Sequence, residues 1–191
     1  MLLDLRASRL AIPSLGIDSA VQLSYALPNT GAQPPGCPAR PPGEETLTVP
    51  EHGIATPERA FEGLENKAWI YGHSRWQNQP GLFYALQDIS MGDELFVDGV
   101  DRTTGEQIAH RRFVVDGIYL TDTDSGGTLV TASIPEKPVV ILQTSVREQG
   151  ANKSWLLTQQ KVFAKALNLV EGDLNDPCKY LLLFVVAESA N

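Results

Sequence analysis

The stretch Pro138-Val139-Val140-Ile141-Leu142-Gln143-Thr144-Ser145 constrains the fold of this chain more than any other. A proline followed by an unbroken apolar, largely β-branched run predicts a buried strand, and the run closes on a small hydroxyl residue at its tip. A second run, Ala68-Trp69-Ile70-Tyr71-Gly72-His73, has the same form and closes on a histidine, with Gly72 expected to let the backbone bend and present the ring. Two strand ends carrying a hydroxyl and an imidazole make Ser145 and His73 a candidate catalytic pair. The competing reading of His73 is a core histidine satisfied by its neighbours.

Around these two runs the chain is strand-rich. Residues 9–18 predict a strand broken at Pro13 and turned at Gly16, followed by a second strand over residues 21–25. Residues 27–45 are dense in proline and glycine and are expected to form an irregular inserted loop. A short strand resumes at Thr46-Leu47-Thr48-Val49-Pro50. Thr56 then reads as the N-cap of a helical turn with Pro57 at its first position. Leu82, Phe83, Leu86 and Ile89 share one face of a short amphipathic helix. Residues 95–97, 112–120 and 179–187 predict further strands, and the spacing of Trp155, Val162, Phe163, Ala166 and Leu169 predicts a helix capped by Ser154. Strands outnumber helices and no βαβ alternation is present. A mostly β, closed or nearly closed barrel of about eight strands with two or three short helices follows.

Length and charge exclude several functions. A chain of 191 residues with 42% hydrophobic and 20% charged content fits one domain, expected to span residues 1–191, with the loop at 27–45 and a helical insertion at about 154–170. A net charge of -8 argues against a nucleic-acid partner, because such binders concentrate Lys and Arg against phosphate. The longest apolar run, residues 180–187, is too short to span a bilayer, and the N-terminus lacks a signal-peptide pattern. Two cysteines, Cys37 and Cys178, match no zinc motif, so no metal or cofactor is expected. They form one disulfide if the chain works outside the cell; otherwise Cys178 is a buried free thiol. Asp122 and Asp124 read as a solvated turn rather than a calcium loop, lacking the EF-hand spacing.

In four places, in the same order, the sequence resembles the sortases, bacterial transpeptidases that join secreted proteins to cell-wall or pilus amines. Arg9-Leu10-Ala11-Ile12-Pro13-Ser14-Leu15-Gly16-Ile17 resembles their opening strand, and Ile70-Tyr71-Gly72-His73-Ser74 their catalytic-histidine motif. Residues 81–97, with Phe83, Leu86, Gly92 and Asp93, are similar to their helix and following strand. Val140-Ile141-Leu142-Gln143-Thr144-Ser145 resembles the strand that ends in their catalytic cysteine. The resemblance implies an eight-stranded barrel and a thiol that attacks the Thr-Gly carbonyl of a sorting peptide. It further implies an amine that releases the acyl group, with His73 as acid and base. It also implies work at the extracellular face of a bacterial membrane, reached through an anchor absent from these residues; the alternative is the cytoplasm.

Two departures qualify the resemblance. Ser145 stands where the family has cysteine, and a hydroxyl, unlike a thiol, does not ionise usefully without an oriented base. Ser145 is thus an introduced inactivating change, a natural loss of activity that leaves a peptide-binding module, or the nucleophile of a serine-based peptidase. The family's arginine aligns with Lys179, which keeps the charge and loses the planar fork that directs donors at an oxyanion. Gln160 is the alternative alignment, and Arg147 a further cation within reach of the site in sequence. Leu27-Pro28-Asn29-Thr30-Gly31 has the L-P-x-T-G form of a sorting motif without the apolar span and basic tail of a true signal. If Cys37 and Cys178 are joined, this segment becomes a candidate pseudosubstrate lid; chance in a Pro-rich loop is the competing account.

Overall fold

Two runs of alternating burial open the structure. Leu5–Ile12 (β1) turns through a single 3-10 turn, Pro13–Leu15, into Ile17–Ser24 (β2), and Gly16 closes that turn in the left-handed region at φ 65°. The computed structural model describes residues 4–29, 35–39, 43–57, 63–77, 79–121, 130, 132, 137–146, 165–167, 176, 178 and 181–190. The remaining strands are Ala26–Asn29 (β3), Gly43–Leu47 (β4), Ile54–Pro57 (β5), Lys67–Gly72 (β6), Arg75–Trp76 (β7), Gln79–Pro80 (β8), Glu94–Asp101 (β9), Gln107–Thr121 (β10), Val139–Val146 (β11), Lys165–Leu167 (β12) and Leu181–Ser189 (β13). A 3-10 helix, Leu82–Asp88, connects the β7–β8 ribbon to β9. Among the described residues, no helix is long and apolar enough to cross a membrane.

Eight strands close on themselves. In the order β10-β13-β11-β6-β5-β2-β1-β9 each pairs with the next, and β9 returns to β10. Closure removes the free edges that an open sheet would leave. The inside is filled by alternate residues of every strand, among them Leu10, Ile54, Ile70, Val97, Leu142 and Leu183. Phe83, Leu86 and Ile89 of the 3-10 segment plug one end, fully buried, so the expected apolar face exists on a tighter helix.

The β6-β11-β13 wall is buried on both faces. Val139, Ile141, Phe184 and Val186 point away from the barrel interior and pack with Val130, Trp69 and Tyr119 in a second cluster. Trp69 and Phe184 meet edge to face, with ring centroids 5.7 Å apart. Burial on two sides is why the Pro138–Leu142 run carries no polar alternation.

Three expectations are corrected. Thr56 does not cap a helix: it lies in β5, and its hydroxyl donates to the Trp69 carbonyl at 2.8 Å, because pairing to β2 and β6 satisfies this backbone better than one isolated turn. The loop at 27–45 is not irregular throughout, since its ends pair as the β3–β4 ribbon. Within the expected helix at 154–170, Lys165–Leu167 is instead strand β12, parallel to Tyr119–Thr121. β9 pairs with β10 only as far as Val114, so the same edge of β10 further on is open to another strand.

Cys37, between β3 and β4, and Cys178 are joined in a disulfide with Cα atoms 5.3 Å apart across a sequence separation of 141. A loop of this size restrains the unfolded chain by about 5 kcal/mol in the chain-entropy treatment. Reduction is expected to lower the melting temperature by roughly 10–20 °C; a melt unchanged after verified reduction contradicts this. Truncating Phe184, fully buried beside Trp69, is expected to cost about 3–5 kcal/mol in urea unfolding of Phe184→Ala. A loss below about 1 kcal/mol would show that the outer cluster relaxes around the gap.

Candidate functional site

β6 and β11 lie side by side and parallel, with Gln143 opposite Tyr71. His73 directly follows β6 and Ser145 is the penultimate residue of β11, each two residues beyond that last pair. Alternation along β11 turns Thr144 inward, where it is buried, and leaves Ser145 half-buried on the outer face beside Gln143. Two hydrogen bonds lock the ends together: the Thr144 hydroxyl donates to the Gly72 carbonyl at 2.8 Å, and the Ser74 hydroxyl donates to the Ser145 carbonyl. On the outer face, Trp69 Nε1 donates to Gln143 Oε1 at 2.7 Å.

Glycines let other chain segments approach the histidine closely. A Cβ on Gly72 would lie 2.9 Å from Ile54 Cγ2 and 3.0 Å from the Gly53 carbonyl, and one on Gly81 would lie 2.3 Å from the His73 carbonyl. Gly72 is therefore required for close packing of β6 on β5, not for the backbone freedom expected of it. Gly81 N–H donates to the Ser74 carbonyl at 2.8 Å, which ties the residues after β8 to the histidine turn.

The His73 ring stacks against Trp76 at 4.8 Å between centroids, tilted by 32°. Beside this pair opens a cleft of about 410 Å³, walled by Glu51, His52, Trp76, Gln79 and Pro80. Under the same end of the barrel the Tyr71 hydroxyl is hydrogen-bonded to the Ser24 hydroxyl. Burial raises its pKa well above the ordinary phenol range, so the pair stays neutral and serves packing.

Ser145 also faces the opening of the last strand, since β13 begins at Leu181 opposite Val146 and sets Leu182 opposite Ser145. Cys178 lies three residues ahead of β13, so the disulfide ties the segment between β3 and β4 to the Ser145 end of the sheet. Leu27, Pro28 and Asn29 are in β3, whereas Thr30 and Gly31 lie outside the described residues. Lys179, Arg147, Gln160, Asp122 and Asp124 also lie outside them. Among the described residues, no cluster of three His, Cys, Asp or Glu side chains is placed to hold a metal ion. Four contributors have no motif in the sequence that marks them: Ser74, which bonds to the Ser145 carbonyl, Trp76, which stacks on His73, and Glu51 and His52, which reach the cleft through the pairing of β5 with β6.

No family model matches the chain, and no curated protein matches it. Among solved structures, 40 chains match. Sortase A from Corynebacterium diphtheriae is 18% identical, aligned over 100% of this chain and 62% of that one with a TM-score of 0.52. The pilus-related sortase C of Group B Streptococcus is 13% identical over 100% and 70% of the two chains, with the same TM-score of 0.52. Sortase C1 from Streptococcus suis is 12% identical over 97% and 74%, at 0.51. Identities this low speak to architecture alone, and the closed eight-stranded barrel of this chain is the sortase fold.

Proposed function

We propose that the chain is a sortase-type acyl-transfer domain that receives an extended L-P-x-T-G-like peptide at the ends of β6 and β11, in a form whose nucleophile is replaced by serine. What supports this reading is the parallel pairing of β6 with β11 up to Gln143 opposite Tyr71, with the Thr144 and Ser74 hydrogen bonds joining the two strand ends just before and after His73. In this reading residue 145 attacks the Thr-Gly carbonyl, His73 moves the proton, and Lys179 supplies positive charge to the developing oxyanion. An amine acceptor then takes the acyl group. The Ser145 hydroxyl leaves the chemistry impaired, because hydroxyl activation needs a base oriented by a third group. The Cys37–Cys178 disulfide supports a setting outside the reducing cytosol, at the outer face of a bacterial membrane.

The β3–β4 ribbon belongs to the same proposal. Its first strand contains Leu27, Pro28 and Asn29 of the L-P-x-T-G-like segment, and the disulfide holds the chain between its strands to the Ser145 end of the sheet, which suits a self-covering pseudosubstrate. A second reading, a peptide-binding module without chemistry, is favoured by Ser145 itself.

Ser145→Cys is expected to gain cleavage of an L-P-x-T-G peptide by at least about 100-fold over the unmodified protein, and His73→Ala in that background to lose a similar factor. Binding without cleavage by Ser145→Cys selects the binding module, and absence of both ends the proposal. Reduction of Cys37–Cys178 is expected to tighten peptide binding about tenfold, or about 1.4 kcal/mol, by isothermal titration under conditions where the protein stays folded. Unchanged affinity removes the pseudosubstrate role.

A further inference from the structure

Backbone pairing between β6 and β11 ends at Tyr71 and Gln143, so the two residues that carry the proposed chemistry lie beyond it. Hydroxyl side chains take over there. On the near side of His73 the Thr144 hydroxyl donates to the Gly72 carbonyl at 2.8 Å, and on its far side the Ser74 hydroxyl donates to the Ser145 carbonyl. His73 is thus held to β11 through both of its chain neighbours.

The two bonds are not equivalent. Thr144 sits on the inner face and closes the sheet one step past the ladder, whereas Ser74 bonds to the main chain of residue 145 itself. Ser74 is buried, so water does not readily replace its hydroxyl. It is also tied on its other side, where its carbonyl accepts from the Gly81 N–H at 2.8 Å. Between Ser74 and Gly81 run the two short strands β7 and β8, and Trp76 of β7 stacks on the His73 ring. Imidazole, indole and ribbon therefore form one unit, and Ser74 fastens that unit to the tip of β11.

We propose that Ser74 is a positioning residue: its hydroxyl, acting through the Ser145 carbonyl, sets where residue 145 stands relative to the His73 ring. The proposal rests on the acyl-transfer reading for its effect on turnover, though not for its effect on the side chain at position 145. In this role Ser74 neither binds peptide nor moves a proton. Loss of its hydroxyl lets the ribbon carry His73 away from residue 145, which slows attack while leaving the peptide face as it was. The same loss removes an imidazolium from beside a thiolate in Ser145→Cys, so that thiol moves up towards the ordinary value of about 8.5.

The test is made in Ser145→Cys, where position 145 holds the one free thiol because Cys37 and Cys178 are bonded to each other. Adding Ser74→Ala is expected to lower kcat for cleavage of an L-P-x-T-G peptide about 30-fold, with KM held within about twofold. The midpoint pH of iodoacetamide alkylation is expected to rise by about one unit. Ser74→Thr, which keeps the hydroxyl, is expected to restore both. A Ser74→Ala protein that melts earlier but keeps its kcat and its alkylation midpoint overturns the positioning role, as does a Ser74→Thr protein no better than Ser74→Ala. If Ser74→Ala does not fold, Ser74→Cys fills the same space with a weak donor and is expected to show the same fall in kcat; undiminished turnover overturns the role. A Ser145→Cys protein without turnover, whose alkylation midpoint still rises with Ser74→Ala, supports positioning and counts against acyl transfer.

Discussion

The parallel contact between β6 and β11 is the constraint on which the site depends. Antiparallel neighbours can be joined by a short turn, but a parallel pair needs a long connection, here residues 73–138. Nothing local in the sequence therefore fixes the alignment of His73 with Ser145. Two-sided burial does so instead. A slip of one residue would turn Thr144 outward and Ser145 into the apolar interior, and would drive Val139 and Ile141 out of the outer cluster. The bonds from Thr144 to Gly72 and from Ser74 to Ser145 then hold the last residues, where apolar packing gives out.

Local pattern was legible in the sequence, and pairing between distant segments was not. Apolar runs ending in His73 and Ser145, the turn at Gly16 and the buried face of Phe83, Leu86 and Ile89 rest on local pattern, and each is present. The eight-stranded barrel follows from counting such runs. Failures occurred where a partner distant in sequence decides. Thr56 has the chemistry of a helix cap, yet β2 and β6 on either side of it make a strand the better use of its backbone. Lys165–Leu167 sits in a segment with helical spacing and pairs with β10, a choice that depends on where β9 stops. Gly72 signalled flexibility in the sequence and proved to be a matter of space, set by Gly53 and Ile54.

The site itself divides in the same way. Its two central residues are at strand tips and could be named from pattern, while the groups around them come from other parts of the chain. Trp76 reaches His73 because the tight β7–β8 ribbon folds back, and Gly81 allows that return by leaving the His73 carbonyl unobstructed. Glu51 and His52 arrive with β5. Such contributors have no spacing rule relative to the histidine, since the connection before β6 sets their distance in sequence while pairing alone sets their distance in space.

Fold and chemistry are separable on this frame. Register, burial and the hydroxyl clamps depend on backbone and on residues 72, 74 and 144, and none of them involves the side chain of residue 145. A hydroxyl or a thiol at that position is therefore carried by the same scaffold, and the difference between them is one of acidity and nucleophilicity. On the proposed reading, a barrel that carries either atom on the same scaffold loses or regains acyl transfer by one substitution while its peptide face persists. Binding of peptide is then the property built into the fold, and the reaction is the property that depends on a single atom at the end of β11.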